Sequence, residues 1–83
     1  MVIKVLGSGC ANCRRVEAIA RDVLKELAVE ASIEKVTDYK GIMAYGIMAT
    51  PGLVIDEKVV SAGRIPSKAE VTSWVTTALA QSQ

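Results

Sequence analysis

The spacing of apolar positions changes period along the chain. VIKVL (2–6) is a β-branched run interrupted once by Lys4, and it predicts a short strand. Gly7, Ser8 and Gly9 break it. From Ala11 to about Ala28 the period becomes helical. Cys13, Val16, Ile19, Ala20, Val23, Leu24 and Leu27 recur at three- and four-residue steps, with Arg14, Arg15, Glu17, Arg21, Asp22, Lys25 and Glu26 on the other side. ASIEKV (31–36) reads as a second strand. Asp38 is placed to cap a short helix through YKGIMAY (39–45), with Gly46 at its C′ position. Pro51 cannot sit inside a central strand, so the third strand starts after it. LVI (53–55), a two- or three-residue turn around Asp56 to Lys58, and VVSA (59–62) read as a hairpin, although the turn has no glycine. Gly63 ends that hairpin. Ser67 to Glu70 spell S-x-x-E, a capping box, and the helix behind it presents Val71, Trp74, Val75, Ala78 and Leu79 as its apolar stripe.

The predicted order is β-α-β-α-β-β-α. The first two strands are joined through a long helix, so a right-handed crossover makes them parallel. The last two are antiparallel. A four-stranded mixed sheet with helices on both faces, of class α/β, satisfies these constraints within one domain over residues 1–83.

Composition narrows what such a domain does. The chain is 51% hydrophobic, with one Trp and no Phe, so its core is aliphatic. Ten basic and nine acidic residues leave a net charge of +1. That balance argues against nucleic acid as the main partner and offers no electrostatic anchor for a membrane. No apolar run approaches the roughly 20 residues of a membrane span, and MVIKVLG enters the strand pattern without a signal-peptide stretch. The expected location is the cytoplasm, where thiols are kept reduced. With no histidine in the chain, Ser-His-Asp and Cys-His catalysis are excluded.

Both cysteines, Cys10 and Cys13, lie in GSGCANCRR (7–15), at the strand-to-helix junction. Three readings compete: a reversible disulfide, two soft-metal ligands, or two small packed hydrophobes. Tetrahedral zinc needs four ligands, whereas copper(I) can be held by two thiolates. If the first helix starts near Cys10, its unsatisfied N–H groups and its dipole favour thiolate there. Arg14 and Arg15 either add to that effect or are solvated surface. Cys13 falls in line with Val16, Ala20 and Leu24, on the face to be buried, and Cys10 precedes that face. This assigns Cys10 as the attacking thiolate and Cys13 as the shielded resolving thiol.

Other residues carry less. Gly7-Ser8-Gly9 begins like a dinucleotide fingerprint, but Asn12 stands at the third glycine position. Tyr39 and Tyr45 are expected to pack on helix faces, and Trp74, within the apolar stripe of the last helix, to lie in the core. Lys4 is expected to pack its stem and carry its ammonium to water, the alternative being a cation that tunes a thiol.

Taken together, Cys10-Ala11-Asn12-Cys13 after the first strand and Thr50-Pro51 before the hairpin resemble the thioredoxin superfamily. GSGCANC, ATPGLVID, VVSAGRIP and the last helix are similar to the small proteins called redox-active disulfide protein 2. The resemblance implies a minimal thioredoxin-like fold and a cis peptide bond before Pro51. It also implies a shallow recognition surface around Gly9, Ala11, Asn12, Ala49, Thr50, Pro51 and Gly63, all small enough for a partner backbone to approach. The implied activity is thiol–disulfide exchange with disulfide-containing proteins, with no bound cofactor. By analogy, the implied electron source is a flavin-containing, NADPH-dependent reductase of the thioredoxin type. A soft-metal binding module and a redox sensor without turnover are the alternatives. The sequence departs from typical thioredoxins in three places: Ala-Asn lies between the cysteines, Gly9 replaces the preceding tryptophan, and Lys4 stands where a buried acid is usual.

Overall fold

The computed structural model describes residues 1–7 and 11–81. Its elements run β1 (Val2–Leu6), α1 (Ala11–Glu26), β2 (Ser32–Val36), α2 (Tyr39–Met43), β3 (Gly52–Ile55), β4 (Lys58–Ala62) and α3 (Lys68–Gln81). This is the predicted order. The strands form one sheet in the order β2-β1-β3-β4. β1 pairs with β2 in parallel, from Val2 opposite Ser32 to Leu6 opposite Val36. It pairs with β3 antiparallel, and β3 pairs with β4 antiparallel with one irregularity between Leu53 and Val54.

Strand alternation divides the core into two layers. Ile3, Val5, Leu53 and Ile55 point to one face, where Val16, Ala20, Val23 and Leu24 of α1 and Val71 and Val75 of α3 cover them. Leu6 and Val54 point to the other face and meet Ile42 of α2 and Ile47. All four residues of β3 are therefore buried, as an apolar strand covered on both faces requires.

Several boundaries differ from the sequence pattern for local reasons. α1 stops at Glu26 because the chain turns left-handed at Ala28, with a φ of 53°. The Ala28 and Val29 N–H groups donate to the Lys25 and Leu24 carbonyls, a Schellman closure with alanine where glycine is usual. Leu27, the last residue of the apolar stripe, is consequently exposed at the rim. α2 ends at Met43, with Ala44 as C-cap; Tyr45 and Gly46 then donate to the Ile42 and Met43 carbonyls in tight turns. Gly46, at a φ of 75°, therefore lies one residue beyond the C′ position. The hairpin turn consists of Asp56 and Glu57, both left-handed without being glycine, and Lys58 already pairs with Ile55.

Two capping assignments hold in atomic detail. The Asp38 carboxylate accepts from the Gly41 N–H at 2.8 Å. The Glu70 N–H donates to Ser67 Oγ at 3.2 Å, and the Ser67 N–H donates back to the Glu70 carboxylate at 3.0 Å. Two packing expectations need correction. Tyr39 does not pack on a helix face but stands exposed, because α2 is a single short turn whose inward position is taken by Ile42. Trp74 is only partly buried and packs at the margin of the first core layer. Among the described residues no helix is long and apolar enough to cross a membrane.

Candidate functional site

β1 ends at Leu6, and α1 returns from Ala11 across the sheet, so the end of the first strand and the start of the first helix share one edge of the molecule. Gly9 and Cys10 lie outside the described residues, and so does any pairing of Cys10 with Cys13. Ala11 and Asn12 open α1 and are exposed. Cys13 is on the inward stripe and is 4% exposed, at the helix end where backbone N–H groups lack intrahelical acceptors.

The sulfur of Cys13 sits directly against the backbone of Gly7. A β-carbon at Gly7 would collide with Cys13 Sγ, and would lie 3.8 Å from Thr50 Cβ. Glycine at this position lets the sulfur lie on the end of β1 with Thr50 alongside. The peptide bond between Thr50 and Pro51 is cis. The Pro51 carbonyl accepts from the Gly63 N–H at 2.9 Å, which ties the approach to β3 to the end of β4. Gly63 is left-handed, at a φ of 77°, and a β-carbon there would come within 3.2 Å of Ala49 Cβ. Of the residues expected at a recognition surface, Ala49, Thr50, Pro51 and Gly63 are thus gathered in one place. Thr50 links them to Cys13. Gly7 was not among the expected site residues. Its signal was a glycine at the strand end just before the cysteine pair.

Beside Cys13 a cavity of about 260 Å³ runs between α1 and β2, with Gly7, Arg14, Glu17 and Lys35 in its lining. Glu17 is fixed there by Arg21 at 3.0 Å and by Lys35 at 3.2 Å. Those two cations, Arg21 foremost, hold the Glu17 carboxyl below its ordinary range. Arg14 therefore lines this cavity while remaining on the exposed side of α1.

Lys4 occupies the opposite face of the sheet from Val5. Its ammonium donates to Glu57 at 2.7 Å and to the Tyr45 hydroxyl at 2.8 Å, and that hydroxyl donates to the other Glu57 oxygen at 3.0 Å. The stem packs as expected, but the ammonium ends in this closed triad rather than in open water. Glu57 raises the Lys4 pKa, Tyr45 adds to it, and Lys4 in turn lowers that of Glu57. Among the described residues no group of three or more Cys, Asp or Glu is arranged to hold a metal ion.

Residues 1–76 match the family model for the thioredoxin domain. The chain is 41% identical over 71 residues to the thioredoxin of Methanothermobacter thermautotrophicus, an alignment covering 86% of this chain and 92% of that one. It is 35% identical over 71 residues to the thioredoxin of Methanocaldococcus jannaschii, covering 86% and 81%. Thioredoxin 1 from Thermosipho africanus superposes with a TM-score of 0.61 at 18% identity, covering 99% of this chain and 98% of that structure. At that identity the last comparison speaks for the fold alone.

Proposed function

The chain belongs to the thioredoxin-domain family, and from that premise we propose that it is a thiol–disulfide oxidoreductase acting through Cys10 and Cys13. The observation that carries the reading is the seat of Cys13: a buried sulfur at the start of α1, against a glycine and beside Thr50 and Pro51. A thiol placed so deeply is badly placed to meet a protein disulfide, which suits the resolving rather than the attacking role.

In this reading the Cys10 thiolate attacks a partner disulfide. A Cys10–partner bond forms, and one partner thiolate leaves. Cys13 then attacks Cys10, which expels the second partner thiolate. Two electrons have passed to the partner, the departing thiolates take up protons, and Cys10 and Cys13 are left as a disulfide. A flavin-containing, NADPH-dependent reductase of the thioredoxin type resets the pair. Ala11 and Asn12 with Ala49, Thr50, Pro51, Gly63 and Gly9 form the surface on which the partner backbone rests. Cytoplasmic location, a single unit over residues 1–83, and placement with the redox-active disulfide protein 2 group belong to the same proposal.

Insulin reduction tests it. Wild type turns over catalytically with dithiothreitol as electron source, and neither Cys10→Ser nor Cys13→Ser does. Cys13→Ser accumulates a mixed disulfide with the partner, and Cys10→Ser does not. Trapping by Cys10→Ser alone would reverse the two roles. One stoichiometric disulfide exchange without turnover would make the protein a sensor, and stoichiometric copper surviving gel filtration would make it a metal module.

A further inference from the structure

Trp74, Thr77, Ala78 and Gln81 follow one another along α3 at three- and four-residue steps, so they share one side of the helix. Between that side and the β3–β4 hairpin lies a cavity of about 380 Å³. Small-molecule sites commonly have volumes of roughly 300–1,000 Å³, with mostly apolar walls and a few polar groups. Ile55, Val60, Trp74 and Ala78 give this cavity its apolar walls. Ile55 belongs to the first core layer and the other three pack against it. Trp74 is the one tryptophan of the chain, and it is only partly buried although it stands in the apolar stripe of α3. Two charged side chains complete the lining, and they are not equivalent. The Asp56 carboxylate already accepts from the Val2 N–H at 2.9 Å. The Lys58 ammonium donates to the neutral Gln81 side-chain carbonyl at 3.3 Å, a long bond, and among the described residues it joins no ion pair.

We propose that this cavity binds a small aromatic monocarboxylate, with its ring against Trp74 and its carboxylate on Lys58. The walls select an apolar body, and the flat indole favours an aromatic one, which stacks on it or meets it edge-on. The charges select the sign. The acid in the lining has a donor, whereas the cation has only a neutral amide, which an incoming carboxylate displaces for a charge-assisted bond. A cationic ligand would meet the Lys58 ammonium without gaining an unengaged acid. The site is independent of the thiol chemistry. β3 starts directly after Pro51 and ends at Ile55, so the cavity and the cis peptide bond stand at opposite ends of the same strand.

The single tryptophan makes the test direct, because its emission reports the wall of the cavity. The protein is titrated with 3-phenylpropionate and, separately, with its uncharged amide, and excited where tyrosine does not absorb. The acid changes Trp74 emission saturably with a Kd on the order of 1 mM, and the amide binds about fivefold more weakly. Lys58→Met, at an exposed position, lowers the affinity for the acid to that for the amide, and Lys58→Arg keeps the preference. Ala78→Leu fills the cavity and weakens both ligands at least about tenfold. Lys35→Met, at the cavity beside Cys13, binds the acid as wild type does. The inference is overturned if emission does not saturate, if acid and amide bind equally, or if Ala78→Leu retains wild-type affinity. Loss of binding in Lys35→Met instead of Lys58→Met would also overturn it, since the acid would then sit at the thiol edge.

Discussion

At the scale of single residues, the seat of Cys13 depends on what Gly7 lacks. A β-carbon at Gly7 would occupy the space of Cys13 Sγ, so Gly7→Ala overpacks the junction of β1 and α1. Overpacking of this kind costs about 1–3 kcal/mol, and urea unfolding of the variant should show a loss in that range. In a Cys13→Ala background the obstructing sulfur is gone, so most of the loss disappears. An equal loss in both backgrounds would mean that the sulfur does not rest on Gly7. Ala28 is the reverse case. It holds the left-handed C′ position of α1 while exposed to solvent, where its β-carbon contributes strain and no packing. Ala28→Gly should raise stability by about 1 kcal/mol, measured as a higher urea midpoint at unchanged slope.

Among the elements, α3 is the clearest case of a helix fixed at its start. Ser67 and Glu70 exchange hydrogen bonds, and Arg64 grips the same carboxylate with two donors at 3.0 and 2.6 Å. Arg64 first, then the Ser67 N–H, bring the Glu70 pKa down to about 2. Because the folded value is the depressed one, the stability Glu70 contributes is present above the ordinary carboxylate range and lost as pH falls toward 2. Glu57 and Glu17 are lowered by Lys4 and Arg21, so they act with the same sign. Thermal melts between neutral pH and pH 2 should therefore fall more steeply for wild type than for Glu70→Gln. Ser67→Ala should cost about 1 kcal/mol at neutral pH through loss of the N-cap acceptor. In the hairpin, Glu57 accepts a left-handed conformation without glycine. Its carboxylate is the shared acceptor of Lys4 and Tyr45, which offsets part of that backbone cost.

For the molecule as a whole, one strand carries both core layers. β3 sends Leu53 and Ile55 to the layer under α1 and α3, and Val54 to the layer under α2. It also follows directly on Thr50 and Pro51, so the candidate site is anchored in the most buried strand. Leu53 is fully buried, and Leu53→Ala should cost about 2–5 kcal/mol, a large share of the total stability of so small a protein. Denaturant titration checks this, and a variant as stable as wild type would show that the first layer closes without Leu53.

Local chemistry settled what was legible in the sequence: the seven elements and their order, the two capped helix starts at Asp38 and Ser67, and the inward placement of Cys13. Each follows from the period of a short window or from a side chain bonding its own backbone within three residues, so no distant contact is needed to read it. Tertiary structure alone decided the rest. That Thr50 meets Gly7 and Cys13, and that Lys4 pairs with Glu57 and Tyr45, depend on which strands lie side by side. Residues more than 30 positions apart become neighbours only through that pairing, and a pattern read along the chain has no term for it.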